Sequence, residues 1–191
     1  MHKAVLLDRD GVINQPILNP ATNEYEAPFK AEDFKLFDGV LKSLQTLQEL
    51  KYKLFVITNQ PDYAKGKATL ENLINVHKKM EEIFKNNKID FSEYYYCYHH
   101  PQGIVKEYAI KCKCRKPGNL FLKEAKLKYN LDMASSWIVG DRDTDIFCGQ
   151  SMNVKTILIL FEHSKSRAKK SNPEFKASDL KEAVEIIKKF G

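Results

Sequence analysis

The chain alternates between short apolar runs and longer segments in which apolar residues recur at helical spacing. The short runs predict buried strands at residues 3–7, 53–57, 93–96, 137–139 and 154–160. The periodic segments predict helices at residues 40–50, 70–85, 117–129, 145–152 and 179–190. Strands and helices that alternate with short connections favour an α/β fold with a doubly wound (Rossmann-like), mostly parallel sheet. We therefore expect a single domain over residues 1–191, without an insertion long enough for a large cap domain.

Polar side chains follow three of the predicted strands. They are Asp8 and Asp10 after the first strand, Thr58, Asn59 and Gln60 after the second, and Asp141 after the fourth. Because parallel strands end at a common edge of the sheet, we expect these side chains to meet there. Two carboxylates in one small volume repel each other unless a cation or a proton intervenes, and Mg²⁺ prefers oxygen ligands. For the Asp8 and Asp10 pair taken alone, ordinary turn chemistry is the alternative.

Three of the four cysteines and a histidine form a second group of possible metal ligands. They are Cys97, His99, Cys112 and Cys114, with His100 as the substitute for His99. Three thiols and one imidazole are a donor set that holds Zn²⁺ in a closed tetrahedral site, and a loop of free thiols is the alternative. A structural zinc would stiffen the loop of about residues 97–114, which directly precedes Arg115 and Lys116.

Length and charge limit the classes of protein to consider. With 191 residues and 43% hydrophobic content, the chain can bury the core of one α/β domain. The net charge of +6 comes from scattered lysines, with one denser cluster at Lys165, Arg167, Lys169 and Lys170. A solvated surface that attracts a small phosphorylated substrate is favoured over a basic, zinc-containing nucleic-acid-binding module. Such a module would carry aromatic residues between its basic ones, and this chain has no such stripe.

The ends and loops add two expectations. The sequence has no apolar run long enough to span a membrane and no basic-then-apolar leader, so we expect a cytoplasmic protein without a membrane partner. The segment 15–35 contains Pro16, Pro20 and Pro28 and predicts a loop that lies over the rim of the active site.

Four segments at predicted strand ends or helix starts carry a family resemblance. They are Asp8-Arg9-Asp10-Gly11-Val12-Ile13-Asn14, Ile57-Thr58-Asn59, Arg115-Lys116-Pro117 and Gly140-Asp141-Arg142-Asp143-Thr144-Asp145. In this order they resemble the motifs of the haloacid dehalogenase (HAD) superfamily of phosphatases. The resemblance implies that Asp8 is a nucleophile that forms an aspartyl-phosphate and that Asp10 is the general acid and base. It also implies that Thr58 and Lys116 bind the transferring phosphoryl group.

The same resemblance implies a metal shell. Asp8, the backbone carbonyl of Asp10 and Asp141 would hold Mg²⁺. Asp145 is expected to orient that shell or to cap its helix rather than to bind the metal directly.

The zinc loop is similar to one branch of this superfamily, the heptose bisphosphate and histidinol phosphate phosphatases. The stretch 95–103 and the long span from His99 to Cys112 look like the heptose phosphatases, whereas residues 140–145 are similar to the histidinol phosphate phosphatases. The chain also departs from the heptose pattern. Residues 61–62, Pro-Asp, stand where that family usually has Ser-Gly, and residues 118–120, Gly-Asn-Leu, stand where it has Pro-Gly-Met.

This resemblance implies a monomeric phosphatase that converts D-glycero-D-manno-heptose 1,7-bisphosphate to the heptose 1-phosphate. The reaction would serve the synthesis of nucleotide-activated heptose for lipopolysaccharide or capsule. Histidinol phosphate, or a broader range of sugar phosphates, is the alternative substrate. Expected substrate-binding residues are Asn59, Gln60, Arg115 and Arg142, and each of the two arginines can hold a second phosphate bidentately.

Overall fold

The computed structural model describes residues 1–20, 23–160 and 170–191, so Lys165, Arg167 and Lys169 of the basic cluster lie outside the described residues. The strands are β1 (Ala4–Leu7), β2 (Ile17–Asn19), β3 (Glu24–Glu26), β4 (Lys53–Asn59), β5 (Phe91–Cys97), β6 (Trp137–Gly140), β7 (Lys155–Ile159) and β8 (Phe175–Ala177). The helices are α1 (Val40–Glu49), α2 (Leu70–Asn86), α3 (Leu120–Tyr129), α4 (Asp143–Gln150) and α5 (Leu180–Phe190).

The main sheet has six strands in the order β5-β4-β1-β6-β7-β8, and each neighbouring pair is parallel. The chain starts in the middle of this sheet and adds strands outward in both directions. The prediction of a doubly wound parallel sheet is therefore confirmed. The direction of winding reverses beside β1, and in such sheets the crevice at that point is where ligands bind.

Both faces of the sheet are covered by helices. All four residues of β1 are buried, and they alternate between two apolar clusters. Val5 and Leu7 pack into the cluster that contains residues of α1, α2 and α5, whereas Ala4 and Leu6 pack into the cluster with residues of α3 and α4. This double burial explains why β1 is a continuous apolar run rather than an alternating one.

Two predicted helix starts differ from the structure. The helix expected from Pro117 begins at Leu120, because residues 115–118 form a tight turn in which the Gly118 N–H donates to the Arg115 carbonyl at 2.7 Å. A Cβ on Gly118 would lie 2.3 Å from the Lys113 carbonyl oxygen, so only glycine fits there. The helix expected from residue 145 begins at Asp143, and the Asp145 carboxylate accepts a hydrogen bond from the Arg142 N–H at 3.0 Å. Asp145 therefore caps its helix, as expected.

Three short strands escaped the sequence pattern. β8 adds an edge to the main sheet, and β2 and β3 form a separate antiparallel hairpin within the segment expected to be loop. Each has only three residues, which is too short for an alternating pattern to be recognised. Among the described residues, no helix has the length and apolar character that a membrane span needs.

Candidate active site

Three carboxylates converge at the carboxyl edge of the sheet. Asp8 follows β1, Asp141 follows β6, and Asp145 lies in the first turn of α4. One oxygen from each of the three lies within 4.8 Å of the other two, and all three residues are buried. The structure thus brings Asp8 and Asp141 together, as the strand order predicts, and adds Asp145 to the group.

The Asp141 carboxylate is the unpaired member of this group. Among the described residues no donor forms a hydrogen bond with its Oδ1, and the nearest charged partner, Arg142 Nε, is 3.7 Å away. Burial, and after it the charge of Asp8, raises the pKa of Asp141 to about 8. A buried carboxylate without a donor is costly, and a cation between converging oxygens removes that cost. The donor set therefore fits Mg²⁺, a hard cation that binds oxygen ligands.

We call the three carboxylates together with Lys116 the floor of the site, and Lys116 is its cationic member. Its Nζ lies 2.9 Å from Asp8 Oδ1 and 2.5 Å from Asp145 Oδ1, and it donates to the Ile57 carbonyl at 2.6 Å. Burial alone would lower the pKa of Lys116, but the Asp145 and Asp8 carboxylates raise it, so the ammonium stays charged. Its position is fixed by Asn59, whose side chain accepts from the Lys116 N–H and donates to the Lys116 carbonyl.

Asp10 lies outside the three-carboxylate group and is held by three side chains. Arg9 Nη2 lies 2.9 Å from Asp10 Oδ1, and Asn14 Nδ2 donates to the same oxygen at 3.0 Å. Gln60 Nε2 donates to Asp10 Oδ2 at 2.5 Å. Although burial alone would raise it, the Arg9 charge and the hydrogen bonds from Asn14 and Gln60 lower the pKa of Asp10. The side chain is thus fixed, and it lines the cavity described below.

Gln60 corrects one sequence prediction. It was expected to bind substrate, yet it is completely buried, and its amide is shared between Asp10, Arg9 and Thr58. The side chain turns inward because the buried Arg9 guanidinium needs an acceptor and Gln60 Oε1 accepts from its Nη2 at 2.9 Å. Gln60 therefore positions Asp10 and Thr58 rather than contacting substrate.

The cysteine cluster assembles as the sequence predicts. The Sγ atoms of Cys97, Cys112 and Cys114 are 3.3–3.5 Å apart, and His99 Nδ1 is 3.4 Å from Cys114 Sγ. All four cysteines of the chain are free thiols. A tetrahedral ion with Zn–S bonds of about 2.3 Å would separate the sulfurs by about 3.8 Å, so the set fits Zn²⁺ after an adjustment of a few tenths of an ångström. His100 lies outside the cluster, since its Nδ1 accepts from the Gln102 N–H.

A cavity of about 700 Å³ adjoins the floor, because Asp141 of the floor is one of its lining residues. Its wall includes Arg115 and Arg142, which were expected to bind substrate, and Asn59 at the end of β4. Part of the wall is the β2–β3 hairpin, so segment 15–35 lies at the rim as expected. A turn formed by residues 61–67 faces the hairpin across the cavity, and the Lys67 ammonium pairs with Glu26.

Two residues of the site were not singled out from the sequence. Arg9 is completely buried and holds Asp10 and Gln60, and Asn14 is completely buried and donates to Asp10. Both lie within the first motif, between or just after its aspartates. An arginine between two acids directly after a strand predicted to be buried was the available signal, because a buried guanidinium requires acceptors close by.

Comparisons with known proteins agree with this geometry. The family model described as HAD-hydrolase-like matches residues 113–183. A D-glycero-beta-D-manno-heptose-1,7-bisphosphate 7-phosphatase from Vibrio cholerae is 34% identical over 157 residues, which cover 82% of this chain and 80% of that protein. A D-glycero-alpha-D-manno-heptose-1,7-bisphosphate 7-phosphatase from Photorhabdus laumondii is 32% identical over 152 residues, which cover 80% of this chain and 79% of that protein.

A solved structure shares the fold. The D,D-heptose 1,7-bisphosphate phosphatase from B. bronchiseptica, complexed with magnesium and phosphate, superposes with a TM-score of 0.79 over 99% of each chain. The two sequences are 21% identical. This likeness shows that the whole described chain adopts the architecture of that enzyme.

Proposed function

The chain belongs to the D-glycero-D-manno-heptose-1,7-bisphosphate 7-phosphatase family of HAD-like hydrolases, and we propose that it removes the 7-phosphate from a D-glycero-D-manno-heptose 1,7-bisphosphate. One observation carries the proposal beyond family membership. A buried carboxylate, Asp8, pairs with the Lys116 ammonium and converges with Asp141, which lines a polar cavity, and a separately held carboxylate, Asp10, lines the same cavity. This arrangement provides a nucleophile, a charge clamp and a proton donor in one place.

In this proposal Asp8 is the nucleophile. Its free carboxylate oxygen attacks phosphorus and the bond from phosphorus to the O7 oxygen of the sugar breaks. The negative charge of the bound phosphate favours the protonated form of Asp10, which gives its proton to the departing oxygen. Water then attacks the aspartyl-phosphate, Asp10 takes a proton from that water, and inorganic phosphate leaves with Asp8 restored. Arg9, Asn14 and Gln60 keep Asp10 within reach of both oxygens.

Two residues bear on the phosphoryl group. Lys116, fixed by Asn59 and the Ile57 carbonyl, offers its charge to the transferring oxygens. Thr58 is the next-to-last residue of β4, and its Oγ1 already accepts from Gln60 Nε2 at 3.0 Å. Its hydroxyl hydrogen is therefore directed to another acceptor, which we assign to a phosphoryl oxygen.

The three-carboxylate group and Asp10 supply the site for the cation. Asp8, the Asp10 carbonyl and Asp141 would hold Mg²⁺, with Asp145 orienting them through Lys116. When bound, the ion offsets the repulsion between the attacking carboxylate and the phosphate. The unpaired Asp141 oxygen supports this assignment.

The remaining parts of the proposal concern the zinc loop and the chain as a whole. Zn²⁺ held by Cys97, His99, Cys112 and Cys114 would fix the backbone that leads into Arg115 and Lys116. Arg115 and Arg142, both in the cavity wall, would hold the phosphate at position 1. Both clusters and the cavity draw on one sheet and its loops, which supports a single domain, and we propose that this domain acts as a monomer.

The experiment is a comparison of substrates for the purified enzyme with Mg²⁺. We expect kcat/KM for heptose 1,7-bisphosphate to exceed kcat/KM for histidinol phosphate by about a hundredfold or more, because histidinol phosphate lacks a second phosphate and brings an amine to an arginine-lined wall. Both anomers of the heptose bisphosphate are assayed, since relatives named for each are similar to the chain. A preference for histidinol phosphate would remove the heptose assignment and leave the phosphatase chemistry standing.

A further inference from the structure

A rigid turn after β4 carries a carboxylate to the cavity wall. The turn is closed by Lys65 N–H to the Pro61 carbonyl at 2.9 Å and by Lys67 N–H to the Asp62 carbonyl at 2.8 Å. It is fastened to the zinc loop, because the Ala64 carbonyl accepts from the backbone N–H groups of residues 104 and 105 at 2.7 and 3.1 Å. The hydrogen bonds within the turn and those to the zinc loop therefore fix the backbone position of Asp62.

Gly66 allows this close fastening. Its φ of +69° lies in the left-handed region, and a Cβ there would lie 2.5 Å from Ile104 Cδ1. A side chain at position 66 would therefore strain the backbone of the turn and displace the exposed end of the Ile104 side chain. The Tyr63 and Tyr108 rings, 4.8 Å apart edge to face, add an aromatic contact across the same junction.

Asp62 is a mostly buried residue whose carboxylate, in the cavity wall, lacks a protein partner among the described residues. Asp62 is 9% exposed and lines the cavity. Throughout the part of the chain that the structure describes, its carboxylate neither accepts a hydrogen bond nor lies within 4.0 Å of a basic group. Burial and then the nearby Asp10 charge raise the pKa of Asp62. A carboxyl group in this state costs stability unless a donor reaches it.

The charges around Asp62 indicate which donor fits. The cavity wall around Asp62 carries charges of both signs. The Asp10 and Glu26 carboxylates repel the Asp62 charge, the Lys65 and Lys67 ammonium groups attract it, and Asp62 in turn stabilises the charge of Arg115. A phosphate cannot approach a carboxylate closely, so the two substrate phosphates belong at the floor and with the cations. The group that lies between them, opposite Asp62, must be a hydrogen-bond donor without negative charge.

We propose that Asp62 is a specificity-determining residue that accepts hydrogen bonds from sugar hydroxyl groups lying between the reacting phosphate and the second phosphate of the substrate. This inference rests on the proposed function, because it assumes a polyhydroxylated phosphate ester. It assigns the recognition of hydroxyl groups to a residue that lies four positions beyond Thr58 and takes no part in the phosphoryl transfer. A site built to pair with hydroxyl groups selects against esters that lack them, since the carboxylate would then be buried unpaired.

The test compares the ratio of kcat/KM between substrates in the intact, metal-loaded enzyme. For wild type and Asp62→Ala, kcat/KM is determined with heptose 1,7-bisphosphate, with glycerol 3-phosphate and with p-nitrophenyl phosphate, which has no hydroxyl group. We expect the alanine variant to lower the ratio of heptose bisphosphate to p-nitrophenyl phosphate by about tenfold, and the ratio for glycerol 3-phosphate in the same direction. Asp62→Asn keeps one acceptor oxygen and the same volume, so it should restore most of the ratio.

Controls separate this role from others. Asp90, exposed at the amino end of β5 and thus at the opposite edge of the sheet, gives the matched variant Asp90→Ala, which should leave the ratios as in wild type. If Asp62→Ala lowers kcat/KM equally for all three substrates, or shifts the acidic limb of the pH profile of kcat, then Asp62 acts through Asp10 or through the fold. Either result would show that the inference is wrong. If wild type does not hydrolyse heptose bisphosphate, the proposed function fails, and the glycerol 3-phosphate ratio still decides the role of Asp62.

Discussion

The floor and the rim of the cavity are built in different ways. At the floor, Asp8 and Asp141 are placed by adjacent parallel strands, and the Asp8 N–H itself donates to the Val139 carbonyl at 2.9 Å. At the rim, the β2–β3 hairpin lies outside the main sheet, and an ion pair between Glu26 and Lys67 joins it to the turn of residues 61–67. Position at the floor therefore follows from the sheet, whereas position at the rim follows from individual side chains.

The zinc loop lies between these two cases. It begins where β5 ends, so Cys97 is placed by the sheet, but Cys112 and Cys114 reach it from a segment without regular strands. Among the described residues, the thiol cluster connects this segment to the end of β5 just before the chain reaches Lys116, which pairs with Asp8. The comparison indicates that chemistry is anchored in the sheet and that substrate choice is carried by parts that can vary without disturbing it.

The largest effect is expected at the floor. Asp8→Asn should lower the rate of phosphate release by at least about 10⁴-fold, because a neutral amide cannot attack phosphorus. The fold should survive, because Lys116 keeps its 2.5 Å ion pair with Asp145. The measurements are phosphate release from heptose 1,7-bisphosphate and thermal unfolding. Asp90→Asn is the control for the loss of one carboxylate, and near-native turnover in Asp8→Asn would disprove the covalent mechanism.

An intermediate effect is expected from the zinc loop. Metal analysis of protein purified with a reductant and without chelators should find one zinc per chain, and Cys112→Ser should lose it. Structural zinc sites contribute on the order of 10 kcal/mol to the folding of the segment that they close. Loss of the ion should loosen the loop and lower kcat/KM by roughly tenfold, through Arg115 and Lys116 rather than through the nucleophile.

Cys148 provides the matched control for the zinc experiment. It is a buried thiol outside the cluster and donates to the Gly118 carbonyl. Cys148→Ser should keep the zinc and most of the activity. Wild-type protein without zinc, or a Cys112→Ser variant that retains a full equivalent, would remove the argument for this site.

The smallest effect is expected at the hairpin. Glu26→Gln removes the charge that pairs with Lys67, and because the lysine side chain is 39% exposed, the loss of unfolding free energy should be below about 1 kcal/mol. We expect a change of only a few-fold in KM for heptose bisphosphate and no change in kcat, since the floor does not depend on this pair. Lys67→Met tests the same pair from the other side. A large fall in kcat in either variant would show that rim and floor are coupled more tightly than their construction indicates.

The difference between floor and rim also explains which expectations from the sequence hold. The alternation of strands and helices was sufficient to place Asp8 and Asp141 at one edge, because the carboxyl ends of parallel strands meet wherever such a sheet forms. The Cys-x-His and Cys-x-Cys spacings were sufficient to predict the thiol cluster, because each pair already lies within reach of one ion. These are local patterns, and they survive whatever the loops do.

Other features depend on residues far apart in the chain. Gln60 carries the same side chain whether it faces substrate or Arg9, and only the burial of Arg9 beneath β4 decides that it turns inward. The start of α3 at Leu120, by contrast, was decided locally by the turn of residues 115–118 that precedes it.

The sequence by itself determined the sheet, the acids at its edge and the cluster of three cysteines and His99, since each follows from periodicity or short spacing. Tertiary structure alone decided the inward turn of Gln60, the hairpin at the rim and the unpaired carboxylate of Asp62 in the cavity wall. The physical reason is that the burial of a side chain and its hydrogen-bond partners depend on its position in the folded structure. A side chain finds its partners only after segments that are 50 or more residues apart, such as Asp10 and Gln60, have packed together.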